Sequence, residues 1–543
     1  MGDAAVDART RLNELAAVER LAAGDVSLFA DPEIAATRLG WLGSPAQATA
    51  EAARIEEFAA DVAARGIVHV ILLGMGGSSL APLVLSRAFR TTVGHPHLHV
   101  VDTTAPSEID ALVRPLKPAK TLVLVSSKSG TTIEPISLFH VFWGCMESAL
   151  GSETGSHFAA VTDPGSPLAA LAERRGFHET FLAPPDVGGR YAAFTPFATV
   201  PGALIGVDIA RLASSGQKAA AKCGVPSEGN PGAELAAWIS DAYDAGRDKL
   251  TIVCSRTLAS FGLWVEQLVA ESTGKKGAGV LPVLEPAPGW AETHGADRMT
   301  FVMRTSSDSH LADIASRLPA GEPLLEVVVD DPYELGGEFV RWEWAVALFA
   351  ALQGIEPFEQ PDVEAAKATT RAILEGNRAA PAPTAYEAGV TVTARVGDNP
   401  TDLASALAAL LAQATPRSYL AVLAYLPEDE EFLTPLRGVC NEIAAAYKIA
   451  VTLESGPRYL HSTGQFHKGG PAEGLFLVVT ARDPIDLPIP EASLTLSDLH
   501  RAQPTGDVVT LSELGRPVVS VELPEEDPAY VEVLVMALRA AVR

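Results

Sequence analysis

Cysteine is scarce in this chain: Cys145, Cys223, Cys254 and Cys440 are the only four in 543 residues, far apart and without C-x-x-C spacing. That excludes a disulfide framework and fits buried thiols in a reducing compartment. Long apolar runs are missing too, and without 18 consecutive apolar residues no membrane-spanning helix is expected. Met1 to Arg20 has neither the basic start nor the apolar core of a secretory leader. Position six is Val6, not the Ser or Thr that myristoylation of Gly2 would require. The chain therefore reads as cytoplasmic. Basic charge is short as well, with 41 Lys and Arg against 67 Asp and Glu and a formal net charge of −26 spread along the sequence. No basic stripe offers counterion release, so nucleic acid is not an expected partner. An anionic ligand has to be held by local donors against an unfavourable overall field. No set of His, Cys, Asp and Glu has metal-ligand spacing, so no metal is expected.

What is present is ordinary for a folded protein: 48% hydrophobic and 20% charged residues. The length exceeds one hydrophobic core and predicts two or three domains. The most informative stretch runs from Thr121 to Pro135. An apolar run (121–125) reads as a buried strand, and an apolar helical pattern (133–142) follows the loop Ser126-Ser-Lys-Ser-Gly-Thr131. Backbone N–H groups and the positive end of a helix dipole point into such a loop. Ser127, Ser129, Thr131 and Thr132 add hydroxyls, and Lys128 adds a cation. A plain helix cap is the competing interpretation, but four hydroxyls and a lysine exceed what capping requires. The stretch predicts a phosphate site.

Residues 1 to about 65 read as helical, with a turn at 38–42. Strand patterns follow at 68–73, 98–102, 121–125, 158–162 and 180–182, alternating with helical ones. Strands recur at 250–254, 299–303 and 324–329, with closing helices at 341–352 and 363–374. After a linker at 377–384 come a strand at 420–426, a helix at 428–447, strands at 474–480 and 518–521, and a helix from Pro528. That rhythm predicts an α/β protein of doubly wound parallel sheets, with ligands at the carboxyl ends of the strands. The expected blocks are 1–220, 221–380 and 381–543. Whether the second and third share a sheet stays open.

After the first strand comes Gly74-Met-Gly-Gly-Ser-Ser79. It lacks the third glycine of a dinucleotide loop, and Asp102 alone is a weak ribose partner. Paired with the Ser/Thr loop, it resembles the sugar isomerase (SIS) fold, in which two strand-ending loops grip a sugar phosphate. Further stretches narrow the resemblance to the glucose-6-phosphate isomerase family: Val187-Gly-Gly-Arg-Tyr191, Glu271-Ser-Thr-Gly-Lys275, and Ile355-Glu-Pro-Phe-Glu-Gln-Pro361 continued to Lys367. Leu460-His-Ser-Thr-Gly-Gln465 with His467-Lys-Gly-Gly-Pro471 is similar to one subgroup, the isomerase half of bacterial transaldolase–isomerase fusions. The resemblance implies two SIS-type domains with an additional C-terminal α/β block.

It also implies roles. Glu271 would carry the proton between C1 and C2, Arg190 would stabilise the enediolate, and His461 with Lys367 would open the sugar ring. Gly77, Ser78, Ser127, Lys128, Ser129 and Thr132 would hold the phosphate, while Gln267 and Gln360 line the substrate pocket. This chemistry needs no cofactor. Position alone supports less. Glu271 reads as a solvated helix end, Arg190 as a surface residue, Lys367 as an ion-pair partner of Glu364, and His461 as a prop for a Gly-rich loop. Family members usually place the ring-opening histidine between the segments of Glu271 and Lys367, so His294 is the fallback general acid. The reaction implied is interconversion of glucose 6-phosphate and fructose 6-phosphate. The alternatives are another sugar phosphate, such as mannose 6-phosphate, or a non-catalytic SIS-type sensor. The family is mostly dimeric, so a homodimer is expected unless the C-terminal block covers or replaces that surface.

Overall fold

The computed structural model describes residues 6–284, 293–397 and 400–542. The first sheet contains β1 (His69–Leu73), β2 (His97–Val101), β3 (Thr121–Ser126), β4 (Phe158–Thr162) and β5 (Glu179–Leu182). All five are parallel, in the order β2-β1-β3-β4-β5. Helices cover both faces, which is why β3 is apolar and buried along its whole length. The order reverses between β1 and β3, so the loops leaving their carboxyl ends part and open a crevice. Those are the two Gly/Ser-rich loops singled out above. Each of these five strands lies within two residues of its expected position.

The second sheet contains β6 (Lys249–Cys254), β7 (Leu281–Leu284), β8 (Arg298–Arg304) and β9 (Leu324–Val328), parallel in the order β7-β6-β8-β9. β7 carries no readable signal, being four residues long with Pro282 inside. The third contains β10 (Ala385–Glu387), β11 (Val390–Arg395), β12 (Tyr419–Tyr425), β13 (Ala450–Ser455), β14 (Gly474–Ala481) and β15 (Val518–Leu523), in the order β10-β11-β15-β14-β12-β13. The third block therefore has its own sheet. That sheet is mixed, a correction to the all-parallel expectation: β11 runs antiparallel to β15, and β10 antiparallel to β11. Ala388 and Gly389, both at positive φ, form the two-residue turn of the β10–β11 hairpin.

The first two sheets and the N-terminal helices share one core, which includes the fully buried Trp41, Trp264 and Trp342. The third sheet has a core of its own. The helix Ile209–Cys223 runs across residue 220 and packs on the helix Leu335–Gln353. Charged clamps join the third block to the others. Arg458 Nε and Nη2 donate to the two oxygens of Asp102 at 2.7 and 2.8 Å, just past β2. Lys249, at the start of β6, reaches Glu473 at 2.7 Å. Asp102 is thus committed to a structural arginine, which removes it as a ribose partner. No helix among the described residues is long and apolar enough to cross a membrane.

Candidate active site

Glycine lets three loops converge. A Cβ on Gly77 would sit 2.2 Å from the carbonyl of Gly189, so the first loop and the Gly188-Gly189-Arg190 turn touch backbone to backbone. Gly76, at φ +53°, leaves room for Gln267 Nε2 and the carbonyl of His461. Ser126 Oγ then donates to the carbonyl of Ser78 at 3.1 Å, tying the first loop to the second. Between these loops lies a cavity of about 1050 Å³.

Eleven of the twelve site residues expected from sequence line that cavity. Gly77 and Ser78 come from the loop after β1, and Lys128, Ser129 and Thr132 from the loop after β3. Thr132 begins the helix Ile133–Leu150 without a side-chain capping bond, so its hydroxyl is not consumed by capping. Ser127 is the twelfth. It is buried beneath the loop and donates Oγ–H to Thr132 Oγ1 at 3.3 Å. Lys128 Nζ is shared with Asp163 at 2.7 Å and with the carbonyl of Pro185 at 3.2 Å.

Glu271 stands near the end of the helix Ala259–Thr273 and is buried, against the position-only expectation of a solvated glutamate. Lys275 Nζ caps that helix end by donating to the carbonyls of Glu271 and Ser272 at 2.6 and 2.9 Å. Arg190 is buried as well, in the turn Gly189–Tyr191. Its donors reach five acceptors: Ser272 Oγ at 3.0 Å, Glu271 Oε2 at 3.0 Å, Gln360 Oε1 at 2.9 Å, and the carbonyls of Pro357 and Glu359. Guanidinium and carboxylate are thus in direct contact rather than separated by a gap the width of a sugar. Gln267 Nε2 donates to the carbonyl of His461 at 2.7 Å. Lys367 is half-exposed and paired with Glu364 at 2.8 Å, while still lining the cavity.

His461 lies in the turn after β13, so the third block does supply a loop to the cavity built by the first two sheets. His294 is elsewhere, against Glu322 at 2.9 Å, and is not among the lining residues. Sequence reasoning missed the group that orients His461. Glu134, buried in the first turn after the phosphate loop, lies 2.9 Å from His461 Nε2. Gln503 Nε2 donates to the same oxygen at 2.8 Å, and Thr104 Oγ1 fixes the Gln503 amide at 2.9 Å. Burial alone would push the Glu134 carboxyl up, but the charge and hydrogen bond of His461 hold it below the usual carboxylate range. An ionised Glu134 only accepts, so the hydrogen between the two groups lies on Nε2 of His461. The one available sequence signal was an acidic residue in the first turn of a helix.

The loop after His461 rests on a second carboxylate. Ser462 Oγ donates to Glu266 Oε1 at 3.1 Å. Burial, and then the nearby Glu454 carboxylate, push Glu266 up to about 8. Its folded form therefore binds a proton that the unfolded chain has released, and this contribution to stability declines as pH rises from about 4.5 through about 8. Glu266→Gln keeps the acceptor and removes the titration. Its melting temperature relative to wild type should rise with pH across that window. A pH-independent difference in thermal melts would rule the shifted carboxyl out.

A doubly wound fold whose switch-point loops open into a cavity shared by a Ser/Thr anion loop, an ion-paired carboxylate and a histidine defines the class of phosphosugar-handling isomerases. The family model described as phosphoglucose isomerase matches residues 48–279. A protein of Haloarcula marismortui named "Probable glucose-6-phosphate isomerase" is 30% identical over 347 residues, which cover 56% of this chain and 78% of the relative. A glucose-6-phosphate isomerase of Thermus thermophilus is 28% identical over 384 residues, covering 62% of this chain and 90% of that one. Among solved structures, a hypothetical protein from Thermus thermophilus superposes with a TM-score of 0.58 at 26% identity, over 68% of this chain and 96% of that chain. A glucose-6-phosphate isomerase from Chlamydia trachomatis shares the fold, with a TM-score of 0.53 at 20% identity over 60% of this chain and 73% of that one. The chain belongs to the phosphoglucose isomerase family.

Proposed function

We propose that this chain interconverts glucose 6-phosphate and fructose 6-phosphate through a cis-enediol intermediate. The observation that carries the reading is the buried contact of Arg190 with Glu271 in the cavity onto which the Ser129–Thr132 loop opens. The hydroxyls of Ser78, Ser129 and Thr132, with the backbone of the two loops, hold the phosphate. His461, set by Glu134 and Gln503, and Lys367 move protons at the ring oxygen and the C1 hydroxyl to open the ring. The Glu271 carboxylate then takes the proton from C2; the released pair forms the C1–C2 double bond while the C1 carbonyl pair moves onto O1, and a proton passes from O2 to O1. The pair left on O2 then forms the C2 carbonyl as the double-bond pair takes the proton back from the same carboxyl at C1. Arg190 neutralises the charge that develops on the oxygens.

The purified chain should form fructose 6-phosphate from glucose 6-phosphate and leave mannose 6-phosphate turning over more slowly or not at all. Binding of the sugar phosphate without any ketose product would instead support the sensor reading, which the presence of the Glu271–Arg190 pair does not favour. Glu134→Gln should lower turnover roughly tenfold with KM little changed, because an amide orients the imidazole without stabilising its cation. An unchanged pH profile of turnover in that variant would remove Glu134 from the account.

A homodimer is kept as the working assembly of this reading. The divisions 1–220, 221–380 and 381–543 are taken as the working domains, with residues 381–543 contributing His461 and Gln503. Four unpaired cysteines support a cytoplasmic location.

A further inference from the structure

Beside the catalytic cavity lies a second cleft of about 350 Å³, bounded by the turn Lys275-Lys276-Gly277, the pair Gly469 and Gly470, and Arg516. Lys468 and Glu359 line both spaces, so the two adjoin. In a chain of net charge −26, four cations and only two carboxylates, Glu359 and Asp362, face this cleft.

Two of the cations are already engaged. Lys275 donates to the carbonyls of Glu271 and Ser272, and Lys468 pairs with Asp507 at 2.5 Å. One carboxylate is engaged too, since Asp362 accepts from Gln465 Nε2 at 2.6 Å. The other two cations are different. Arg516 is 8% exposed, and its Nη2 donates to the carbonyls of Lys468 and Gly470 at 3.2 and 2.7 Å. Among the described residues no carboxylate lies within ion-pairing distance of it, and its Nε and Nη1 find no acceptor. Lys276 is exposed at the rim, also without an ion pair among the described residues, and holds a left-handed backbone at φ +54°. The N–H of Gly277 bonds the carbonyl of Gly469 at 2.8 Å and fixes that turn across the cleft. A buried guanidinium served only by carbonyls is costly, because buried charges ordinarily find a counter-charge. The volume falls at the small end of ligand sites, about 300 Å³ and upward, and exceeds the needs of a bare ion.

We propose that this cleft is a second anion site, which takes a phosphoryl group between Arg516 and Lys276 and is separate from the Ser129–Thr132 loop. Lys275 links it to the backbone of Glu271, so occupancy bears on the helix end that carries the proposed base.

The test is equilibrium dialysis of the whole chain against labelled inorganic phosphate and, separately, against glycerol 3-phosphate as a small phosphomonoester. Wild type should bind two equivalents of at least one probe, and the probe that fills the second site assigns its source. Lys276→Glu, at an exposed position, should weaken the second site roughly tenfold or more while turnover without added anion stays unchanged. Arg516→Met should weaken it similarly, with a thermal melt confirming that the variant is folded. Thr132→Val should weaken the other site and spare this one, which keeps a failure of the catalytic reading distinct from a failure here. A single equivalent in wild type for both probes that Thr132→Val weakens and Lys276→Glu leaves intact, or two undiminished equivalents in Lys276→Glu, would overturn the proposal.

Discussion

Glu271→Gln is expected to lower turnover by roughly 100-fold or more while the protein still binds a sugar phosphate, as for removal of a general base. The substitution takes the counter-charge from buried Arg190 but keeps the shape and the hydrogen bonds of the site. The amide oxygen can still accept from Arg190 Nη1, the Lys275 bond goes to the main-chain carbonyl and is untouched, and the helix keeps its shape. What is lost is the ability to take a proton from carbon. Steady-state kinetics with a direct binding measurement separate the two effects: kcat should collapse while KM moves only a few-fold. Near-normal turnover would remove Glu271 from the chemistry.

Arg190→Ala should have the second large effect, and it should register twice. Turnover should fall roughly 100- to 1,000-fold, the range seen when a fixed donor to a developing oxyanion is removed. Stability should fall by about 3–5 kcal/mol, because Glu271 would be left as a buried charge without its partner. Arg190→Lys should not restore either property. Five acceptors surround the guanidinium, and a three-donor ammonium on a flexible stem cannot reach them together. Recovery of wild-type turnover and melting temperature in the lysine variant would show that only charge matters at this position.

The parts of this molecule that were legible in its sequence are those with local signals. β3 is a continuous apolar run ending in a hydroxyl-rich loop, so both strand and anion site could be read directly. The first two sheets follow the alternating rhythm of strands and helices, and their strands, β7 excepted, fell close to expectation. Position alone could not reveal that Glu271 and Arg190 are buried against each other, because their contact spans 81 residues; only family resemblance pointed to it. The helix Leu496–Glu513 escaped notice for a different reason. It contains Pro504 and Gly506 and is buried around most of its circumference, which erases the polar-outside pattern that marks a helix. With it went Gln503, and through Gln503 the support for Glu134. β13 was hidden because it follows the helix Glu430–Tyr447 after only two residues, leaving no turn signal between them. The third sheet's antiparallel edge was hidden because the β10 strand is three residues long.

The convergence of three sheets on one cavity is the claim everything else rests on. Its most direct test is to follow glucose 6-phosphate in heavy water by proton NMR with the purified wild-type chain and with Glu271→Gln. Wild type should produce fructose 6-phosphate and wash deuterium into the transferred position, and the variant should do neither at a comparable rate. Isomerisation that proceeds equally in both proteins, or binding of the sugar phosphate with no loss of the C2 hydrogen in wild type, would contradict the account.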